Sequence, residues 1–246
     1  AAVLTALRHL AGRPHDCATI SELVLNLEQM MTTGGGWQDQ IGGLVPGVKF
    51  ISSVPVTPLR LNIESVPVLP DVLDQLQQCF VVAFSGQRRL AKNVLQIVVG
   101  RYLQRDRRVI DAIEGLVALA HEARRHLAVG AIDALGNSLR QVWQLHQQLD
   151  PHCSNPAVDA IFREIDDLAR GYKLAGAGGG GFMGILAKSP EAAELIRRQL
   201  NAFGQGVTVY NWHLVGKAND TEPRSASASS GRRPKVSLLH HASRAR

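Results

Sequence analysis

The sequence has only three cysteines in 246 residues, Cys17, Cys79 and Cys153, an odd number with no CxxC spacing. That argues against a disulfide framework and for a reducing compartment, so a cytoplasmic location is expected. The nine histidines form no HExxH and no Cys/His cluster at zinc spacing, so no metal ligand set is expected from the protein. The longest apolar runs, at 79–84 and 181–187, fall far short of the roughly 20 residues a membrane-spanning helix requires, and no membrane partner is expected. The first ten residues contain neither a Met nor a basic region ahead of their apolar positions. A signal peptide is therefore not supported, and the start reads as a helix entered partway.

What is present is ordinary for a soluble globular protein: 45% hydrophobic and 20% charged residues. The net charge of +6 invites a nucleic-acid reading until the charges are located. Residues 217–246 hold seven basic and two acidic side chains, +5 of that total, and the body is close to neutral. A Ser/Ala/Arg tail of this kind buries too little apolar surface to offset its ordering entropy, so residues 216–246 are expected to be a disordered basic tail. A polyanion-binding arm is the competing reading; nucleic-acid binding by the body is not expected.

Periodicity organises the remainder. Apolar positions at Val3, Leu7 and Leu10, and again at Leu23, Leu27 and Met30, predict two helices, the second capped by Asp16 or Ser21. Val48–Val56 and Leu59–Val66 read as two strands around Pro55 and Pro58, and Cys79–Ser85 as a buried strand. Three helical segments are predicted across 90–149, and a fourth at Val158–Arg170. A strand at Tyr172–Gly176 and the glycine run follow, then a strand at Phe182–Lys188, a helix capped by Ser189 with Pro190 in its first turn, and a strand at Gly206–Leu214. Helices and strands in blocks indicate an α+β fold.

Three segments carry candidate chemistry. In LAGAGGGGFMG (174–184), Gly176-x-Gly178-x-x-Gly181 formally matches a dinucleotide fingerprint. That motif must open a helix and meet an acid about 20 residues on. Here a predicted strand follows, and Asn201 stands at that distance. Phe182 also occupies the place of the Walker A lysine. Two readings stay open for this segment: a turn in which backbone approaches a phosphate closely, or a tight hairpin with no ligand. The second segment, TTGGGWQDQIGGLVPG (32–47), offers Asp39 at the start of a short helix, either as acceptor of a substrate hydroxyl proton or as a helix cap. The third, FSGQRRLAKN (84–93), releases Arg88, Arg89 and Lys92 at a helix start, suited to an anion or simply to solvent.

In this order and at these distances, GGGWQDQIGG, SGQRRLAKN and LAGAGGGGF resemble the GHMP small-molecule kinases, most closely their L-fucose kinase branch; the heptose-phosphate kinase branch carries similar segments. The resemblance runs from about Ala1 to Leu214. It implies the GHMP kinase fold: the remainder of an N-terminal domain at 1–88 and a ferredoxin-like C-terminal domain with extra helices at 89–215. It implies ATP and Mg as cofactors and phosphoryl transfer to the anomeric hydroxyl of L-fucose, giving fucose 1-phosphate. Asp39 matches the acid that orients or deprotonates the sugar hydroxyl. Gly35, Gly36, Trp37, Gln40 and Arg89 match substrate-binding positions, and Gly176, Gly178, Gly179, Gly180 and Gly181 match the glycine motif beside the nucleotide. The Gly/Ser-rich phosphate loop that precedes the helix at Ala1 in that family has no counterpart here. A C-terminal kinase fragment, inactive alone, is therefore expected, with a nucleotidyltransferase domain upstream in a parent chain as the related possibility. A non-catalytic module that keeps the fold is the alternative.

Overall fold

Proline and glycine placement sets the element boundaries in a computed structural model that describes residues 1–13, 16–30, 35–54, 56, 59–87, 91–176 and 178–213. The basic tail, Arg88, Arg89, Ala177, Pro55 and Pro58 lie outside the described residues. Among the described residues no helix is long and apolar enough to cross a membrane.

Helix α1 (Ala2–Leu10) leads to α2 (Cys17–Met30) and α3 (Gln38–Leu44). Asp16 is the cap of α2, its Oδ1 accepting from the Thr19 N–H at 2.7 Å, whereas Ser21 lies buried within the helix. The apolar stripe expected on α1 is present, but Val3, Leu7 and Leu10 are all exposed. The two β-prone stretches form an antiparallel hairpin, β1 (Lys49–Val54) with β2 (Arg60–Ser65), in a register that sets Ile51 opposite Ile63.

The structure departs from the sequence reading twice. First, a helix α4 (Pro70–Cys79) precedes the buried strand and runs straight into β3 (Phe80–Ser85), so Cys79 ends a helix and does not begin the strand. Pro70 at its first turn and Asp71 near its positive end are ordinary start signals, and Val72 and Cys79 are its buried positions. Second, the helix expected over Val158–Arg170 is α8 (Pro156–Ile165), and residues 169–174 form the strand β4 (Ala169–Leu174) after a 3-10 turn. A tertiary contact ends the helix. Between α8 and β4, α5 (Ala91–Leu103), α6 (Arg107–Ala128) and α7 (Ile132–Leu149) having preceded them, the guanidinium of Arg140 on α7 donates to the carbonyls of Asp166, Ala169 and Arg170 at 3.2, 2.7 and 2.8 Å. It also bonds the Asp166 carboxylate at 2.6 Å. Those carbonyls are thereby satisfied without helical partners.

β4, β5 (Phe182–Ala187), β3 and β6 (Val207–Tyr210) form one antiparallel sheet in the order β4-β5-β3-β6. Residues 80–85 thus share a sheet with strands more than 80 residues further along. Side chains alternate across the sheet. Val81, Ala83, Met183 and Ile185 pack with Val158, Ile161, Phe162 and Ile165 of α8 and with Ala193, Ile196 and Leu200 of α9 (Pro190–Phe203). Leu186, one residue from Ile185 and so on the opposite face, packs with Val72, Cys79 and Ile132. Burying each such aliphatic side chain contributes about 1.5–3 kcal/mol, which makes the sheet the rigid base on which the connecting loops stand. α9 starts as its sequence predicts: the Ser189 hydroxyl accepts from Ala192 N–H at 3.1 Å, with Pro190 in the first turn.

Candidate active site

The glycine run is the β4–β5 connection, and its conformation needs glycine. Gly176, Gly178, Gly179, Gly180 and Gly181 have φ of +66°, +84°, +76°, +147° and +95°. Five positive φ values in one short turn are strained for any other residue type. The turn closes at its base through the Ala175 N–H, which donates to the Phe182 carbonyl at 2.8 Å. Two neighbouring segments hold its sides. On one side the Gly181 N–H donates to the Gln87 carbonyl at 2.9 Å, and the Ser85 N–H donates to the Gly181 carbonyl at 2.9 Å. On the other the Gly179 N–H donates to the Cys153 carbonyl at 2.5 Å, and the side-chain amide of Asn155 donates to the Gly179 carbonyl at 3.0 Å.

Packing explains which glycines are confined. A Cβ on Gly178 would stand 2.5 Å from the Cys153 oxygen, and one on Gly180 would stand 2.8 Å from the Gln87 oxygen. At Gly176 and Gly181 the same construction meets nothing within 4 Å among the described residues. Gly178 and Gly180 are therefore held against neighbouring main chain, whereas the side of Gly176 and Gly181 on which a Cβ would stand is open among the described residues, both polar groups of Gly181 being bonded to Gln87 and Ser85. Gly86, at the end of β3, is confined in the same way: φ is +74° and its Cβ would lie 2.2 Å from the Gln205 oxygen. This contact fixes the Ser85–Gln87 segment that holds the run.

The second candidate segment sits on α3. Trp37 occupies the N-cap position, half-buried, and its carbonyl accepts from Ile41 N–H at 3.2 Å. Ile41 is buried and seats the helix, which packs on α2. Asp39 is in the first turn, exposed, and no side-chain cap bond is made at this helix start. Before the helix, the Gly35 carbonyl accepts from the Gln29 side-chain amide at 2.8 Å, which ties the approach to α3 onto α2. Gly36 is exposed, with the flexible Gln38 side-chain oxygen 2.6 Å from where its Cβ would be. Gln40 lies in α3, but its side chain is outside the described residues, as are Arg89 and the side chain of Lys92. The anion site expected from Arg88, Arg89 and Lys92 thus lies outside what the structure describes.

Electrostatics near the run are set by burial. Lys173 on β4, three residues before Gly176, has its pKa lowered by desolvation. Beside it His146 on α7 is pushed down to about 4, first by burial and then by the Lys173 charge, and its buried Nδ1 has no hydrogen-bond partner among the described residues. Among the described residues no cluster of three or more His, Cys, Asp or Glu side chains is arranged to hold a metal ion.

Sequence reasoning singled out the glycines but none of the groups that hold them. Gln87 and Cys153 act through main-chain carbonyls, which leave no trace in residue type. Asn155 carries a signal, Asn-Pro at a helix start, that predicts a cap but not a second bond to a turn 24 residues away.

Comparison with known proteins gives this geometry a family. Residues 112–206 match the model of the C-terminal domain of GHMP kinases. The chain is 46% identical over 215 residues to the bifunctional fucokinase/GDP-fucose pyrophosphorylase of Arabidopsis thaliana, covering 87% of this chain and 20% of that protein. It is 34% identical over 204 residues to the L-fucokinase/L-fucose-1-P guanylyltransferase of Bacteroides fragilis, covering 80% and 21%. The chain thus spans about a fifth of the length of these curated relatives. Among solved structures, a D-glycero-D-manno-heptose 1-phosphate kinase of Bacteroides thetaiotaomicron matches with a TM-score of 0.64 at 17% identity, over 87% of this chain and 58% of that one. A mevalonate kinase matches with a TM-score of 0.57 at 17% identity, over 84% and 59%. Family match and structural likeness agree: the chain has the GHMP kinase fold, and residues 112–206 are the C-terminal domain of the GHMP kinases.

Proposed function

We propose that this chain is part of an ATP-dependent sugar kinase that phosphorylates the anomeric hydroxyl of L-fucose to give fucose 1-phosphate. The observation that carries the reading is the state of Asp39. A carboxylate in the first turn of a short helix complements the positive helix end, and here Trp37 holds the cap position while the exposed Asp39 carboxylate is accessible to a substrate hydroxyl. Asp39 accepts the proton of the anomeric hydroxyl as that oxygen takes the γ-phosphoryl group, and the bond to the leaving ADP breaks. ATP supplies the phosphoryl group, and Mg²⁺ would be carried mainly by the nucleotide phosphates, which suits a protein with no ligand cluster among the described residues.

The chain's other contribution is position. Phosphoryl transfer depends on alignment and charge neutralisation more than on covalent help from the protein. In this reading the glycine turn lies beside the nucleotide; the open side of Gly176 and the hold of Cys153 and Gln87 on Gly178 and Gly180 support it. Gly35, Gly36, Trp37, Gln40 and Arg89 are assigned to the sugar side on resemblance. Fucokinase in both curated relatives' names supports L-fucose as the acceptor, and the second activity in those names supports a nucleotidyltransferase domain in the same polypeptide.

The test is phosphorus NMR of the product formed by the full-length protein from Mg-ATP with L-fucose, galactose or a heptose phosphate. A new fucose 1-phosphate resonance is expected. Transfer to another acceptor, or no transfer to any, would replace this reading.

A further inference from the structure

Asn155 makes three side-chain hydrogen bonds that join two different parts of the fold. Its Oδ1 accepts from the Ala157 and Val158 N–H groups, both at 3.0 Å, and so caps α8. Its Nδ2 donates to the Gly179 carbonyl at 3.0 Å. The same glycine is held from its other end, since the Gly179 N–H donates to the Cys153 carbonyl two residues before Asn155. Residues 153–155 therefore grip both polar groups of Gly179. Pro156 at the first helical position fixes the backbone after the cap, and α8 behind it is anchored in the core through Val158, Ile161, Phe162 and Ile165.

We infer that Asn155 is a positioning residue for the glycine turn, transmitting the rigidity of the capped α8 helix to Gly179 through its side-chain amide. Capping alone needs only an acceptor, and Ser, Thr or Asp would supply it equally well. The Nδ2 donor is what only an amide adds, and it is spent on the turn. A glycine-rich loop gains rigidity from its surroundings and has little of its own, because each glycine retains broad backbone freedom. Two bonds to one residue in the middle of the run restrict the φ and ψ values on both sides of it. That this turn faces a nucleotide rests on the kinase reading above; that Asn155 holds the turn does not.

Two substitutions separate the roles. Asn155→Asp keeps the cap acceptor and replaces the donor by a carboxylate oxygen that repels the Gly179 carbonyl. Asn155→Ala removes both. Amide exchange of Gly178–Gly181, followed by NMR on the chain without nucleotide, reads the turn, and the melting temperature reads the cap. In Asn155→Asp the Gly179 and Gly181 amides are expected to exchange on the order of tenfold faster, as loss of one hydrogen bond predicts, with a fall in melting temperature of about 3–5 °C. Asn155→Ala is expected to show the same exchange change together with a larger fall, of about 5–9 °C, because the cap is lost as well. Unchanged exchange in the Asp variant, or a melting loss equal to that of the Ala variant, would overturn the inference. In the full-length protein the Asp variant is expected to lower kcat/KM for ATP by about tenfold while KM for L-fucose stays unchanged. An unaltered kcat/KM would overturn the positioning role. Absence of wild-type turnover with L-fucose would instead remove the kinase reading and leave the exchange comparison to decide the tie.

Discussion

Gly178 lies so close to Cys153 that a Cβ placed on it would stand 2.5 Å from the Cys153 carbonyl oxygen, whereas a Cβ on Gly176 would meet nothing within 4 Å among the described residues. Both glycines have positive φ, +84° and +66°. Only one is confined by packing as well as by conformation.

The two sites are thus expected to respond differently to the same substitution. Gly176→Ala carries only the left-handed backbone strain, about 1 kcal/mol. Gly178→Ala adds a collision with main chain that cannot rotate away, and is expected to destabilise by about 3 kcal/mol or more. Gly180→Val falls with Gly178, because its Cβ would meet the Gln87 oxygen at 2.8 Å. Urea unfolding of the three variants gives the order directly, and equal losses at Gly176 and Gly178 would show that the turn relaxes around a side chain.

Asp39→Asn is expected to lower kcat in the full-length protein by a factor on the order of 10² or more, with KM for ATP little changed, since a positioned proton acceptor acts on the transition state. The melting temperature is expected to hold, because Asp39 is exposed and Trp37 occupies the cap position of α3. Loss of stability with kcat intact would assign the residue to the fold.

Stability should fall in acid through His146. Its native pKa of about 4 lies below the ordinary 6.5. Between those values the unfolded chain binds a proton that the native state does not, so stability rises with pH from about 4 to 6.5 and is lost as pH falls. The full effect is about 3 kcal/mol at most. A melting-temperature profile measured from pH 4 to 7 should be flatter in His146→Leu than in the wild type. Parallel profiles would place the acid sensitivity elsewhere.

Arg140→Lys is expected to destabilise by about 2–3 kcal/mol, since an ammonium cannot reproduce a fork that serves three carbonyls and a carboxylate. The guanidinium also lies 4.9 Å over the Tyr172 ring, a contact that lysine would weaken. A drop in melting temperature of about 5–10 °C is the corresponding reading. A smaller loss in Asp166→Asn would show that the carbonyl bonds outweigh the ion pair.

Much of this protein was legible from residue order. Hydrophobic period and capping residues located α1, α2, α9 and the β1–β2 hairpin, because those signals act within one or two turns of chain: Asp16 and Ser189 cap helices whose N–H groups are three residues away. The glycine run and Asp39 were likewise conspicuous, since a stretch of glycines and an acid at a helix start are unusual choices for a core. The end of α8 and the start of β4 were not legible. Residues 166–170, Asp-Asp-Leu-Ala-Arg, are helix-compatible, and they leave the helix because Arg140, 26 to 30 residues earlier, takes the carbonyls of Asp166, Ala169 and Arg170. α4 was overlooked because its last residue, Cys79, also begins an apolar run that reads as strand. The rigidity of the glycine turn was decided wholly in three dimensions. Gln87 and Cys153 contribute main-chain oxygens that any residue type possesses, and Asn155 contributes one amide beyond its cap. Local sequence determines where a chain can turn left-handed; only long-range packing determines which of those turns are held still.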